Sequence, residues 1–197
     1  MFDAPFHYIV LNKPEFTFNL DRINQYIAIL DQIEATKGPG VMVTIGTGKK
    51  HFSTGFDLPF WVQSYDNNMK PSIYRFQNLM ARLLSFSMPT MCVFNGNALA
   101  GGFILGLCHD FRIMHQTNGY ICLSEAKLGL TLAYPYTAVC AAKLDAATCN
   151  RLIMAIDVKQ QEALKDRLID STYAGPEDLA AYITTFGKRY ATLGAQR

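Results

Sequence analysis

Three short segments carry residue types that suit a reaction in which negative charge develops on an oxygen. Residues 53–57 read Ser-Thr-Gly-Phe-Asp after a predicted strand, residues 100–102 read Ala-Gly-Gly at the start of an apolar helix, and residues 124–125 read Ser-Glu. Small residues let the backbone approach a ligand closely, and the first N–H groups of a helix lack intrahelical acceptors. Two such amides that converge on one oxygen form an oxyanion hole, although each segment taken alone is more often an ordinary turn.

Glu125 is the carboxylate that best fits the role of a base. The run from residue 120 to residue 130 is otherwise apolar, apart from Ser124 and Lys127. Apolar surroundings raise the pKa of a carboxyl group, which suits a base that must also return the proton. The alternative is a solvated glutamate or an ion pair with Lys127.

The elements that must position these segments alternate between strands and helices. Apolar runs predict buried strands over residues 7–11, 41–45 and 90–94. Asn19 is a suitable N-cap for a first helix, and Pro71 suits the first turn of a second one. From about residue 134 the pattern is mostly helical. This alternation predicts an α/β fold with parallel strand pairing.

Composition and charge exclude several classes of protein. Of the 197 residues, 50% are hydrophobic, and the formal net charge is only +2, so the chain can bury a core. Basic residues do not cluster, so no nucleic-acid partner is expected. No apolar stretch has the roughly 18–20 residues of a membrane span.

The cysteines do not indicate a metal site. The five cysteines include no C-x-x-C pair, and an odd number does not fit a set of disulfides. We therefore expect buried, reduced thiols, a reducing compartment and no metal.

Several motifs together resemble those of the crotonase (enoyl-CoA hydratase/isomerase) superfamily, in particular the monofunctional Δ3,Δ2-enoyl-CoA isomerases of plant and peroxisomal type. The resemblance runs from about residue 7 to about residue 190. It rests on residues 52–58 (FSTGFDL), 88–90 (MPT), 95–102 (NGNALAGG), 109–110 (HD) and 124–125 (SE). The resemblance implies a spiral of ββα units, shortened at both ends relative to family members. It also implies a single domain over residues 1–197, with a spiral core to about residue 133 and a mostly helical remainder.

The resemblance also implies a mechanism. The family polarises an acyl-CoA thioester through two backbone N–H groups, which fall on Phe56 and Gly101 by motif position, and Glu125 matches its catalytic glutamate. Hydratases carry a second carboxylate three residues after the oxyanion glycine, where this chain has Ile104. A single base can move a double bond but cannot also hold and activate water. We therefore expect isomerisation of 3-enoyl-CoA to 2-trans-enoyl-CoA, with acyl-CoA as substrate and no further cofactor.

Other residues receive weaker assignments. Asp57 is expected to cap the turn that follows it rather than to act as a catalyst. Aromatic and apolar side chains near the three segments could line an acyl pocket, although core packing explains some of them equally well. These side chains are Phe60, Trp61, Phe103, Ile104, Tyr134 and Tyr136.

Two alternatives and the cellular setting remain open at this point. The chain could be a catalytically weak or inactive crotonase-like subunit of a larger, possibly mitochondrial, complex; thioester hydrolysis is less well supported, because no second polar group is apparent near Ile104. The family implies a homotrimer or a hetero-oligomer of related chains, and a mitochondrial or peroxisomal location. Residues 1–10 carry no recognisable leader, and residues 195–197 are not a peroxisomal address of the SKL type.

Overall fold

A computed structural model of the chain describes residues 5–196. Residues 1–4 and Arg197 lie outside this range. The predictions about residues 1–10 and 195–197 therefore lie partly outside the described residues. Within it, strands and helices alternate as the sequence predicts. The strands are β1 (Phe6–Leu11), β2 (Thr17–Phe18), β3 (Val41–Gly46), β4 (His51–Ser53), β5 (Gly55–Phe56), β6 (Thr90–Phe94), β7 (Asn97–Leu99), β8 (Phe111–His115), β9 (Ile121–Cys122) and β10 (Ser171–Tyr173).

The helices lie between the strands and, after β10, near the C-terminal end of the described range. They are α1 (Leu20–Ala35), α2 (Leu58–Trp61), α3 (Lys70–Leu84), α4 (Gly101–Leu107), α5 (Tyr134–Lys143), α6 (Ala146–Ile153), α7 (Gln160–Lys165) and α8 (Pro176–Tyr190). A π-helical turn (Tyr65–Met69) precedes α3, a 3₁₀ turn (Ser124–Leu128) follows β9, and another 3₁₀ turn (Ala191–Gln196) follows α8. No helix in the described range is both long enough and apolar enough to cross a bilayer.

Three parallel sheets form the predicted spiral of ββα units. The largest has the strand order β1-β3-β6-β8-β10, the second pairs β2 with β5, and the third has the order β4-β7-β9. The first four turns of the spiral each add one strand to the large sheet and one or two short strands to the small sheets before the next helix, whereas β10 is followed directly by α8. The expected crotonase-like fold is therefore confirmed, and the short strands bring the three candidate segments to neighbouring positions.

The large sheet is covered on both faces, which explains its continuous apolar strands. Successive residues of a strand point to opposite faces. On one face Val43, Val93 and Ile113 join a cluster with Phe186 of α8, whereas Met42 and Cys92 join the larger cluster on the other face.

Local signals set the helix boundaries. The side chain of Asn19 accepts a hydrogen bond from the N–H of Arg22 at 3.0 Å, so Asn19 is the N-cap of α1 as predicted. Pro71 occupies the first turn of α3, also as predicted. The region after residue 134 is mostly helical but also contributes β10, which the sequence analysis did not predict.

Candidate active site

The three candidate segments border one cavity of about 310 Å³. Thr54 and Phe56 come from the first segment, Ala100 from the second, and Glu125 from the third. The fold therefore brings together residues that are up to 71 positions apart in the sequence.

The first wall begins at β5, which pairs in parallel with β2 and so holds Phe56 beside Phe18. Asp57 follows directly, and its Oδ1 accepts a hydrogen bond from the N–H of Phe60 at 3.2 Å. Asp57 Oδ2 also lies 3.7 Å from Arg22 Nη1. Asp57 thus caps α2 and ties the turn to α1, as expected of a structural residue.

The second segment forms a tightly constrained turn before α4. Ala100 has φ 48° and ψ −125°, a backbone conformation that residues other than glycine rarely adopt. Its N–H donates to the carbonyl oxygen of Cys122 at 2.8 Å, and its own carbonyl accepts from Phe103 and Ile104 at 3.1 Å each. These bonds fix the direction of the N–H of Gly101, the first residue of α4.

The first two segments are in direct contact. Gly55 has φ +89°, and a Cβ placed on it would lie 3.0 Å from the backbone nitrogen of Gly101 and 2.9 Å from the Cβ of Ala100. The ring of Phe56 lies 3.4 Å from the point where a Cβ of Gly101 would stand. The structure therefore places Phe56 and Gly101 side by side, as an oxyanion hole built from both would require.

Glu125 comes from a second wall of the cavity, the 3₁₀ turn that follows β9. β9 pairs with β7, the strand that leads into Ala100, so this turn lies next to the oxyanion segment. The carbonyl oxygen of Glu125 accepts a hydrogen bond from the N–H of Leu130 at 3.0 Å, which closes the turn. The side chain of Glu125 then borders the cavity.

Burial sets the proton affinity of Glu125. Loss of solvent raises the pKa of this carboxyl group above its ordinary value. Its Oε2 is buried, and no hydrogen-bond partner for it is found within residues 5–196. Lys127, the alternative partner, places its Nζ 2.6 Å from Oδ1 of Asp157. The environment of Glu125 is thus suited to taking up and returning a proton.

The acyl-pocket candidates divide into three groups. Trp61 and Tyr136 line the cavity, with ring centroids 4.2 Å and 6.4 Å from that of Phe56. Phe103 and Ile104 are completely buried in the core cluster and are not part of the lining. Phe60 is half-buried outside the lining, and Tyr134 is 84% exposed. The structure thus brings only two of the six to the cavity.

Sequence reasoning missed part of the lining. Met69 contributes from the end of the π-helical turn, Ile73 from the first turn of α3, and Leu128, Leu130 and Leu132 from the segment after Glu125. Met69 and Ile73 are four positions apart, which places them on one helical face. That spacing could have identified the pair as one surface.

Two of the other cavities are larger than the first. One, of about 370 Å³, is also bordered by Glu125 and shares Leu130, Thr131 and Leu132 with the first, so Glu125 stands between the two. The other, of about 480 Å³, is lined mainly by charged side chains of α5–α7 and contains none of the predicted site residues. Of these three cavities, the first is the one that combines residues of all three candidate segments.

The described residues include no side-chain cluster that could bind a metal ion. No group of three or more histidine, cysteine, aspartate or glutamate side chains there is arranged to hold a metal ion.

Comparisons with known proteins find related sequences over most of the chain. The Enoyl-CoA hydratase/isomerase family matches residues 3–192. "Enoyl-CoA delta isomerase 3" of Arabidopsis thaliana is 33% identical over 167 residues, which cover 81% of this chain and 69% of that protein. "Enoyl-CoA delta isomerase 2, peroxisomal" of the same organism is 29% identical over 187 residues, covering 90% of this chain and 77% of that protein.

Solved structures agree on the fold. The crystal structure of an enoyl-CoA hydratase/carnithine racemase from Magnetospirillum magneticum superposes with a TM-score of 0.85 at 20% identity, covering 95% of this chain and 71% of that one. An enoyl-CoA hydratase from Bacillus halodurans superposes with a TM-score of 0.81 at 17% identity, covering 92% and 75%.

Proposed function

Because this chain belongs to the enoyl-CoA hydratase/isomerase family, we propose that it isomerises 3-enoyl-CoA to 2-trans-enoyl-CoA in the oxidation of unsaturated fatty acids. The observation that carries the proposal is the position of Glu125. It is the one carboxylate among the described residues that line the cavity, and Phe56 and Ala100, the residue before Gly101, line the same cavity.

The proposed reaction needs one base and one site for negative charge. Glu125 removes a proton from C2 of the substrate, and the electrons move into the thioester to give a dienolate. The N–H groups of Phe56 and Gly101 donate hydrogen bonds to the oxygen that gains the charge, and each such donor is typically worth about 2.7–4 kcal/mol. Glu125 then returns the proton to C4, which leaves the double bond between C2 and C3.

The character of the cavity favours isomerisation over hydration. Hydration needs a water molecule to be held and activated while a proton is delivered, which the hydratases achieve with two carboxylates. Ile104 stands where the second carboxylate is expected, and it is completely buried in the core. The lining around Glu125 is mainly apolar, which limits competing reactions with water.

The substitution Glu125→Gln tests the base directly, since it keeps the shape and removes the proton acceptor. We expect isomerisation of 3-enoyl-CoA to fall by about 10²–10⁴-fold. Glu177→Gln, which changes an exposed glutamate in the first turn of α8, is the matched control and should leave turnover unchanged. Turnover of the Glu125 variant within about tenfold of wild type would remove Glu125 from the mechanism.

A second assay separates the reaction types. The purified chain is offered 2-trans-enoyl-CoA, and clear formation of 3-hydroxyacyl-CoA would contradict the proposal. An absence of turnover on both substrates, together with stoichiometric co-purification of other proteins, would favour a non-catalytic subunit instead. Native mass measured on the same sample tests the homotrimer or hetero-oligomer that the family implies.

A further inference from the structure

The wall of the active-site cavity holds an unusual concentration of unpaired polar atoms. Four buried side-chain nitrogen or oxygen atoms in residues 5–196 lack a hydrogen-bond partner, and three belong to residues that line this cavity. They are Oε2 of Glu125, the hydroxyl oxygen of Tyr136 and Nε1 of Trp61. Buried polar groups are paired in the great majority of cases, so an acceptor and two donors left unpaired in one cavity require an explanation.

Tyr136 is held rigidly. It lies in the first turn of α5 and is 7% exposed, and its N–H donates to the carbonyl oxygen of Ala133 at 2.9 Å. Its ring meets the ring of Phe76 edge-on with centroids 6.0 Å apart, and the ring of Phe56 lies 6.4 Å away. The hydroxyl therefore cannot turn to solvent without repacking the aromatic cluster.

Glu125, in contrast, has a flexible side chain with a free acceptor. An ionised carboxylate only accepts hydrogen bonds, and a protonated tyrosine can donate one. We propose that Tyr136 is a positioning residue whose hydroxyl donates a hydrogen bond to the ionised carboxylate of Glu125 and holds it towards the substrate. Both side chains line the same cavity, and the proposed bond forms by rotation about the side-chain torsions of Glu125.

Electrostatics favours Tyr136 over Trp61 as the donor. Burial is the main cause that raises the pKa of Tyr136, and the negative charge of Glu125 raises it further, so the two groups interact and the hydroxyl keeps its proton. A bond to the charged form of Glu125 opposes the effect of burial on the carboxyl pKa and keeps the base ionised.

The other titratable groups around Glu125 do not offer it a positive charge. On α5, burial raises the thiol pKa of Cys140 to about 12, with smaller contributions from Cys149 and Glu125. On α6, which contacts the turn of Glu125, Arg151 is held in ion pairs with Glu162 and Asp166. On the turn itself, Lys127 is paired with Asp157.

Infrared titration of the full chain tests the inference without an activity assay. The carboxyl band of Glu125 is assigned by its loss in Glu125→Gln, and its midpoint is compared between wild type and two tyrosine variants. Tyr136→Phe should increase the proton affinity of Glu125 by about tenfold or more, because a hydrogen bond to a charged group is lost. Tyr74→Phe, at a tyrosine that is 59% exposed on α3, is the matched control and should leave the midpoint unchanged. Equal midpoints in wild type and Tyr136→Phe would overturn the inference.

The titration separates this inference from the proposed function on which it rests. If the chain does not isomerise 3-enoyl-CoA, the shift of the midpoint still decides the bond between Tyr136 and Glu125. If it does, Tyr136→Phe should lower kcat with little change in KM and move the acidic limb of kcat/KM to higher pH. If the acidic limb of kcat/KM stays at the same pH, the hydrogen bond between Tyr136 and Glu125 is contradicted.

A measurement on the unsubstituted protein guards against a variant that fails to fold. With ¹³Cζ-labelled tyrosine, the resonance of Tyr136 should change with pH at the midpoint of Glu125, because protonation of the carboxylate breaks the bond. A resonance that does not respond across that midpoint would overturn the inference.

Discussion

The two walls of the active-site cavity differ in how firmly the fold holds them. On the oxyanion wall, Gly55 and Gly101 are in backbone contact and every residue of α4 is buried. On the wall that carries Glu125, the segment that follows this residue is exposed, with Leu128 at 55% and Leu130 at 44%. The proposed oxyanion donors are therefore held by the core, whereas the proposed base is carried by a lightly packed turn.

The difference in packing between the two walls fits the proposed reaction. Donors of an oxyanion hole act best when they need no reorganisation during the reaction, which demands a rigid support. A base that must serve both C2 and C4 has to reach two positions. A lightly packed turn with a separate positioning group, here Tyr136, meets that need.

Substitution of a glycine on each wall gives the largest expected contrast. Gly55→Ala should reduce isomerisation by about 10²–10³-fold, the cost of one lost oxyanion donor, because the new methyl would push against the nitrogen of Gly101. Gly129→Ala, on the wall of Glu125, also has a positive φ of +68° but meets nothing within 4 Å. It should cost only about 1–2 kcal/mol of stability and leave turnover close to wild type. Turnover and urea unfolding measure both variants, and equal turnover would remove the contrast between the walls.

The second-largest effect is expected at a buried histidine that contacts α4, the helix of the oxyanion wall. His109 Nδ1 lies 2.9 Å from the carbonyl oxygen of Leu105 in α4 and must donate to it, so Nε2 accepts from the hydroxyl of Thr44 at 2.9 Å. Thr44 in turn accepts from Tyr26 at 2.6 Å. This chain of bonds requires a neutral ring, and burial lowers the pKa of His109 to about 4.

The free energy of unfolding should therefore depend on pH. The unfolded state binds a proton at His109 below about pH 6.5 and the folded state only near pH 4, so stability is lost as the pH falls through this window, by about 3 kcal/mol in total. Glu125 has the opposite sign, because its raised pKa removes stability as the pH rises. Urea unfolding at pH 7 and pH 4.5 should show the acid loss in wild type and a smaller one in His109→Gln. The same loss in both proteins would assign it to other groups.

The smallest effect is expected at the exposed ion pair beside Glu125. Lys127 Nζ lies 2.6 Å from Asp157 Oδ1, but both side chains are about half exposed. Lys127→Ala should lower the free energy of unfolding by no more than about 1 kcal/mol. A loss of several kcal/mol in urea unfolding would show that this wall is held more firmly than its exposure indicates.

Much of the fold could be predicted from local signals. The strand over residues 90–94 and the cap at Asn19 were readable because buried parallel strands are continuously apolar and caps have distinctive residue types. β2, β5 and β10 were not, because strands of two or three residues show no periodicity. β10 depends instead on tertiary contacts, in which Asp170 accepts from the N–H of Arg112 at 2.7 Å.

The candidate site was only partly predictable for a similar reason. Motif positions indicated Phe56, Gly101 and Glu125; Phe56 and Glu125 line one cavity, and Gly101 lies next to Phe56. They gave no direction for the aromatic side chains, so Tyr134 and Tyr136, two residues apart on one helix, received the same assignment although only Tyr136 reaches the cavity. Which side of α5 faces the cavity is set by packing against Phe76, far away in sequence.

Ala100 carries a consequence for how this chain can change over evolutionary time. Its backbone conformation costs about 1–3 kcal/mol in a residue with a side chain, and glycine would remove that cost. Glycine would, however, give the unfolded chain more freedom and take a methyl group from the cavity surface. A change from alanine to glycine at this position would thus relieve backbone strain but alter the cavity surface and the entropy of the unfolded chain. Neither residue type is favourable in both respects.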